Sequence, residues 1–120
     1  MRTRDKSALI DMFVASMRIV KFMSGFNIEQ FHTDDRTQSA VIRQLQIIGE
    51  ATARIAQDVK DSNPNISWKA MLGLRNTLIH AYHRIDIDEI WGIIQTDVPK
   101  LIVDLRAIPS LNPDDEIDLK

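Results

Sequence analysis

Residues 41–59 read VIRQLQIIGEATARIAQDV. Val41, Leu45, Ile48, Thr52, Ile55 and Val59 recur at alternating steps of four and three, nearly a heptad. That spacing lays one stripe along a long α-helix and suits the seam of a helical bundle or of a dimer. Upstream, Asp34-Asp35-Arg36-Thr37-Gln38 offers caps, with Asp35 and Gln38 spaced as a capping box. Downstream, Asp61-Ser62-Asn63-Pro64-Asn65 is the clearest turn in the sequence, because proline and Asx residues favour turns over a continuing helix.

Outward from this helix the same period returns. Leu9, Met12, Phe13, Ile19, Val20 and Met23 mark a first helix that Gly25 stops. Asn27 to Thr33 is short and has room for a helical turn, with Ile28 and Phe31 facing inward. Ser67 is the expected N-cap of a third helix running to about His80, with Ile66 and Met71 arranged as a hydrophobic staple. Asp86 and Glu89 cap a fourth helix carrying Ile90, Trp91, Ile94, Val98, Leu101, Ile102 and Leu105. Pro99 is predicted to kink or interrupt that helix, since it removes a backbone donor, and Pro109 and Pro113 are predicted to end ordered structure. No strand candidate, internal repeat or low-complexity tract stands out. The expected fold is all-α, an up-and-down four-helix bundle over residues 1–108, with residues 109–120 as an acidic, frayed tail.

Composition agrees and excludes some functions. The chain has 120 residues, 44% hydrophobic and 27% charged, which fits one globular domain. It has no cysteine, so there is no disulfide scaffold and no Cys-ligated metal. Asp11 and Arg18 interrupt the apolar residues near the start, so neither a signal peptide nor a membrane span is expected and a cytoplasmic location is. Fifteen Lys and Arg against seventeen Asp and Glu give a formal charge of -2, which argues against a general nucleic-acid coat. Local basic clusters can still handle a few phosphates, and Asp114-Asp115-Glu116 inflates the negative total without belonging to a site.

The third helix concentrates the reactive side chains. Met71, Leu74, Leu78 and Ala81 form its core stripe, widened by Leu72 and Ile79, whereas Asn76, His80, His83 and Arg84 lie on the opposite arc beside Gly73 and Thr77. A solvated polar face is the ordinary reading of such an arc. Two features point to chemistry instead: a histidine titrates near neutral pH, and Gly73 leaves room for close approach to the backbone. Arg75 lies at the border of the apolar arc, where an unpaired guanidinium is costly, so it needs a carboxylate from another helix or a phosphate. Arg75 and His80 differ by about 140° around an ideal helix. A long arginine reaching round the helix, or two symmetry-related helices facing each other across a dimer, would bring such residues to one small group.

Other residues have simpler readings. Glu50 stands four before Arg54, the spacing of a helical ion pair, with Arg75 as a second partner across helices. His32 belongs to a loop without a companion, and three scattered histidines make a metal site improbable. Trp68 and Trp91 occupy apolar positions and read as core.

The run Arg75-Asn76-Thr77-Leu78-Ile79-His80-Ala81-Tyr82 resembles the Arg-x4-His-x-Tyr signature of the HepT-like toxins, HEPN-domain ribonucleases paired with a minimal nucleotidyltransferase antitoxin. Gly49-Glu50-Ala51, Pro64, Trp68, Asp86 and Trp91 follow that family in the same order, so the resemblance spans residues 5–107. It implies a homodimeric, metal-independent endoribonuclease without a cofactor, the toxin of a type VII-like pair. Its composite catalytic site at the subunit interface would hold Arg75, Asn76 and His80. RNA, messenger or transfer, would supply the 2′-hydroxyl nucleophile. His80 would move the proton, Arg75 would meet the phosphorane, and Asn76 would orient the imidazole or the phosphate. The expected products carry a 2′,3′-cyclic phosphate and a 5′-hydroxyl. His83 and Arg84 either steer RNA or are plain surface residues. The resemblance further implies that the cognate nucleotidyltransferase neutralises the toxin by AMPylation of Tyr82. The alternative is a non-catalytic nucleotide- or substrate-binding subunit of a nucleotidyltransferase; the intact Arg75, Asn76 and His80 favour catalysis.

Overall fold

A computed structural model describes residues 1–79 and 86–117, with side chains as far as Asn76 and again from Asp86. Its first helix, α1 (Thr3–Met23), turns Leu9, Met12, Phe13 and Ile19 inward with no exposed surface, as their period requires. The helix starts six residues ahead of Leu9 because Asp5 is drawn into the structure. Its carboxylate, on a residue only 2% exposed, accepts the Ala56 N–H at 2.9 Å and Arg2 Nε at 2.8 Å. Gly25, at a φ of 81° that side-chain-bearing residues rarely adopt, ends the turn after α1.

A short helix, α2 (Ile28–Thr33), follows, capped reciprocally by Asn27 and Gln30 at 2.8 and 2.9 Å, and plants Phe31 in the core. The long helix α3 (Asp35–Ala53) is capped one residue earlier than its sequence spacing suggests. Asp34 accepts the Thr37 N–H at 3.0 Å, while the Gln38 amide donates to the carbonyls of Phe31 and His32, tying α2 to α3. The expected single helix to Val59 is also broken. It ends at Ala53 and a separate helix, α4 (Gln57–Ser62), begins after Ala56, whose N–H is turned to Asp5. Val41, Leu45, Ile48, Thr52 and Ile55 stay buried across the break, so the near-heptad seam is used up inside the protomer.

The next helix, α5 (Trp68–Ile79), is anchored at its start by Trp68, whose indole N–H is shared between the carbonyls of Lys60 and Asn63 at 3.1 and 2.9 Å. Ile66 and Met71 are both buried, as the staple spacing expects. After the segment 80–85, Asp86 accepts the Glu89 N–H at 3.1 Å and starts α6 (Ile87–Gly92). A π-helical turn (Ile93–Asp97) leads into α7 (Val98–Arg106), with Pro99 in its first turn. The backbone stays helical through this turn, where the Val98 N–H bonds to the Ile93 carbonyl five residues back, and the widened turn ahead of Pro99 is the interruption that Pro99 predicts.

α3 lies between α1 and α5, and α7 closes on the other side of α1. Arg54 meets Asp11, Thr52 meets Met12 and Ala56 meets Asp5, so α3 runs antiparallel to α1. Among the described residues there is no strand, and no described helix is long and apolar enough to cross a membrane. The chain does not fray at Pro109. Ile108, Leu111 and Pro113 are buried, a 3-10 turn (Pro113–Glu116) follows, and Arg106 holds Asp114 through two hydrogen bonds of 3.0 Å. Apolar residues spaced between the prolines pull this segment onto α1 and α7, which the acidic composition conceals.

Candidate functional site

α5 delivers Arg75 and Asn76. Its position is fixed by a contact that needs glycine: a Cβ at Gly49 of α3 would lie 2.3 Å from the Arg75 nitrogen, 2.7 Å from its Cβ and 2.9 Å from its Cα. No side chain fits in that gap, so the two helices meet backbone to backbone at Arg75. The sequence gives one signal for this, a lone glycine inside a strong helical pattern, which costs about 1 kcal/mol relative to alanine unless packing requires it.

Arg75 itself is exposed, so its place at the border of the apolar arc does not bury the guanidinium as that position leads one to expect. Its backbone faces α3 while its long side chain reaches solvent, an outcome that ideal helical angles do not resolve. Asn76 is exposed as well, and with Lys69, Ala70 and Gly73 it makes an open face of α5. A Cβ at Gly73 would meet nothing within 4 Å, so this glycine leaves a shallow surface rather than a tight contact within the protomer.

Glu50 pairs with neither expected arginine. Its carboxylate is 4.0 Å from Arg43, while Arg54 reaches across to Asp11 at 2.6 Å, because that acid on α1 lies closer than the one a turn away. His32 has a companion after all: it sits in α2, and its Nε2 is 2.8 Å from the Asp88 carboxylate. Beside it Phe31 packs on Trp91 with ring centroids 5.9 Å apart, so Trp91 and Trp68 serve packing and anchoring. The segment 80–85 is thus entered from a helix locked at Gly49 and left into a helix capped by Asp86 and held by α2. His80, Tyr82, His83 and Arg84 lie outside the described residues. Among the described residues, no group of three His, Asp or Glu could hold a metal ion.

Comparison with known proteins covers nearly the same span. A model of the family described as "Ribonuclease HepT-like" matches residues 12–108. The chain is 40% identical over 109 residues to a protein of Methanocaldococcus jannaschii named "Putative RNase MJ1380", covering 90% of this chain and all of that relative. It is also 40% identical over 101 residues to "Probable ribonuclease HepT" of Thermococcus cleftensis, covering 84% of this chain and 92% of the relative. No solved structure matches the chain.

Proposed function

The chain belongs to the ribonuclease HepT-like family, and from that premise we propose that it is the toxin of a toxin–antitoxin pair, an endoribonuclease that cuts RNA without a metal. The reading rests on one observation above the others: Arg75 stands exposed at the point where Gly49 fixes the backbone of α5, with Asn76 beside it on the open face. A guanidinium with a fixed base and an exposed end is suited to a phosphate, which it grips through two parallel N–H donors.

The RNA 2′-hydroxyl attacks the adjacent phosphorus as His80 takes its proton. The new 2′-O–P bond forms while the P–O5′ bond breaks, and the departing 5′-oxygen is protonated, leaving a 2′,3′-cyclic phosphate and a 5′-hydroxyl. Arg75 stabilises the added negative charge on the phosphorane, and Asn76, one i, i+4 step before His80, orients the imidazole or the phosphate. The open face of α5 pairs with its counterpart in a homodimer, which brings Arg75 and His80 of the two chains to one cleft despite their divergence on a single helix. His83 and Arg84 lie next in sequence to steer the strand. Neutralisation comes from a cognate nucleotidyltransferase that attaches AMP to Tyr82, putting a phosphate anion where it competes with RNA for Arg75.

Cleavage of transfer RNA and total RNA by the purified chain, in a chelator and with end-group analysis, tests the activity. Wild type should leave cyclic phosphate ends, and His80→Ala should not cut; metal-dependent cutting, or cutting by a verified His80→Ala protein, would contradict the mechanism. Intact mass after incubation with the partner, ATP and magnesium tests the control, since the AMP mass should appear on wild type and not on Tyr82→Phe.

A further inference from the structure

The near-neutral total hides a strong polarity. Residues 1–85 carry twelve basic and eight acidic side chains, whereas residues 86–117 carry two basic and eight acidic, so a net +4 is followed by a net -6. The excess positive charge is exposed mainly on α1, α3 and α5, at Arg18, Lys21, Arg43 and Arg75 among others.

Three of these cations share one face. The Asp11–Arg54 bridge marks the α1–α3 seam at one end of it. Seven residues on from Asp11 is Arg18, on the same side of α1 about 10 Å along the axis, and Lys21 lies one turn further. Eleven residues back from Arg54, three turns of the antiparallel α3, is Arg43, about 16 Å along. Arg18, Lys21 and Arg43 therefore converge away from the neutralised end, and all three are exposed. Among the described residues the acid nearest to them in an ion pair is Glu50, 4.0 Å from Arg43. Arg36, a further two turns along α3, is answered by Asp34 and Asp35 and closes the charged stretch. Gly49 is six residues from Arg43, about 9 Å along α3, and it is there that Arg75 comes alongside on the other flank.

We infer that Arg18, Lys21 and Arg43 form a phosphate track on the α1–α3 face that carries single-stranded RNA toward Arg75. Ser39 and Gln46 accompany Arg36, Arg43 and Glu50 along the outer ridge of α3. That ridge offers spaced cations and hydroxyl or amide groups, without the apolar centre that a protein interface requires. A polyanion that needs only charge at intervals fits it better. The inference rests on the ribonuclease reading but not on the identity of the catalytic residues.

The test is fluorescence anisotropy with a labelled single-stranded RNA, 2′-O-methylated throughout so that it cannot be cut, titrated between roughly 50 and 200 mM salt. Arg18→Glu with Arg43→Glu should weaken binding about tenfold or more and flatten the slope of log K against log salt by about 1.4, two contacts at about 0.7 each. Lys6→Glu with Lys60→Glu, the same charge change elsewhere, should leave both quantities near wild type. Arg18→Gln with Arg43→Gln gives the smaller loss in the same direction and serves if the reversed pair fails to fold. A wild type that cuts RNA while the patch variants bind with unchanged slope overturns the track alone and leaves the patch to an acidic protein surface. Equal losses in the Lys6 and Lys60 control also overturn it. A wild type that neither binds nor cuts RNA removes the ribonuclease reading along with it.

Discussion

Arg75 meets α3 through its backbone and water through its guanidinium, and the two halves of the residue have separable roles. Because the side chain is exposed, Arg75→Ala should change stability by no more than about 0.5 kcal/mol. Cleavage should nevertheless fall by roughly 10² to 10³, the typical cost of losing one preorganised donor to a transition-state oxygen. Thermal unfolding beside an RNA cleavage assay checks both, and a large drop in stability would return Arg75 to the core. Gly49→Ala acts from the opposite side. Its methyl group would overlap the Arg75 backbone, so α3 and α5 must separate at a cost of about 1–3 kcal/mol, read by denaturant unfolding. The proposed site is read from the Arg75 to Tyr82 run of the sequence, but the reason for Arg75's position cannot be read there. A helical wheel gives the direction in which a side chain leaves its own helix, and only the neighbouring helix decides how close the backbone sits.

At the scale of elements, α5 is a half-covered helix. Met71 and Leu74 are buried, while Lys69, Ala70, Gly73 and Asn76 present a face of short and polar side chains to solvent. A side chain added at Gly73 meets nothing in the protomer. Gly73→Leu should therefore leave the circular dichroism spectrum and unfolding midpoint nearly unchanged yet drive the proposed dimer to monomer in light scattering. A dimer that persists would move the interface to another face. The Asp86 cap is legible because it depends only on neighbours in sequence, whereas the α3 cap falls at Asp34 rather than Asp35 and the Asn27–Gln30 box emerges only in the structure. The break between α3 and α4 is not legible either. It depends on Asp5, fifty-one positions from Ala56, taking a backbone donor that a continuous helix would have used internally.

At the scale of the whole molecule, the first residues and the last described ones both pack onto the bundle. Arg2 reaches Asp5 and Asp58, and Asp5 reaches Ala56, so the amino terminus clamps the α3–α4 junction. The Ala56 N–H foremost, then Arg2, holds the Asp5 carboxyl below the usual carboxylate range. A carboxyl whose folded value is depressed contributes stability above its ordinary titration and loses it as pH falls through the lower folded value. Wild type should thus lose stability on acidification below about pH 4, and Asp5→Asn, already without that charge, should show a shallower loss over the same window. Equal pH slopes in the two proteins would show that the clamp does not feel the charge. At the other end Leu111 is 1% exposed, so Leu111→Ala should cost about 2–5 kcal/mol in denaturant unfolding, whereas a frayed tail would make it silent.

The sequence by itself determined the helical class, the amphipathic period of each long helix, the Asp86 cap and the family signature, since all of these rest on residues within one or two turns of each other. Only the tertiary structure decided that the seam of α3 is spent inside the protomer, that Arg75 is exposed at a glycine-tight crossing, and that Asp5 breaks a helix from across the fold. It also decided that residues 109–117 pack against the bundle. Each of these depends on which groups compete for the same space or the same backbone donor once distant segments meet, and that competition has no counterpart in local spacing.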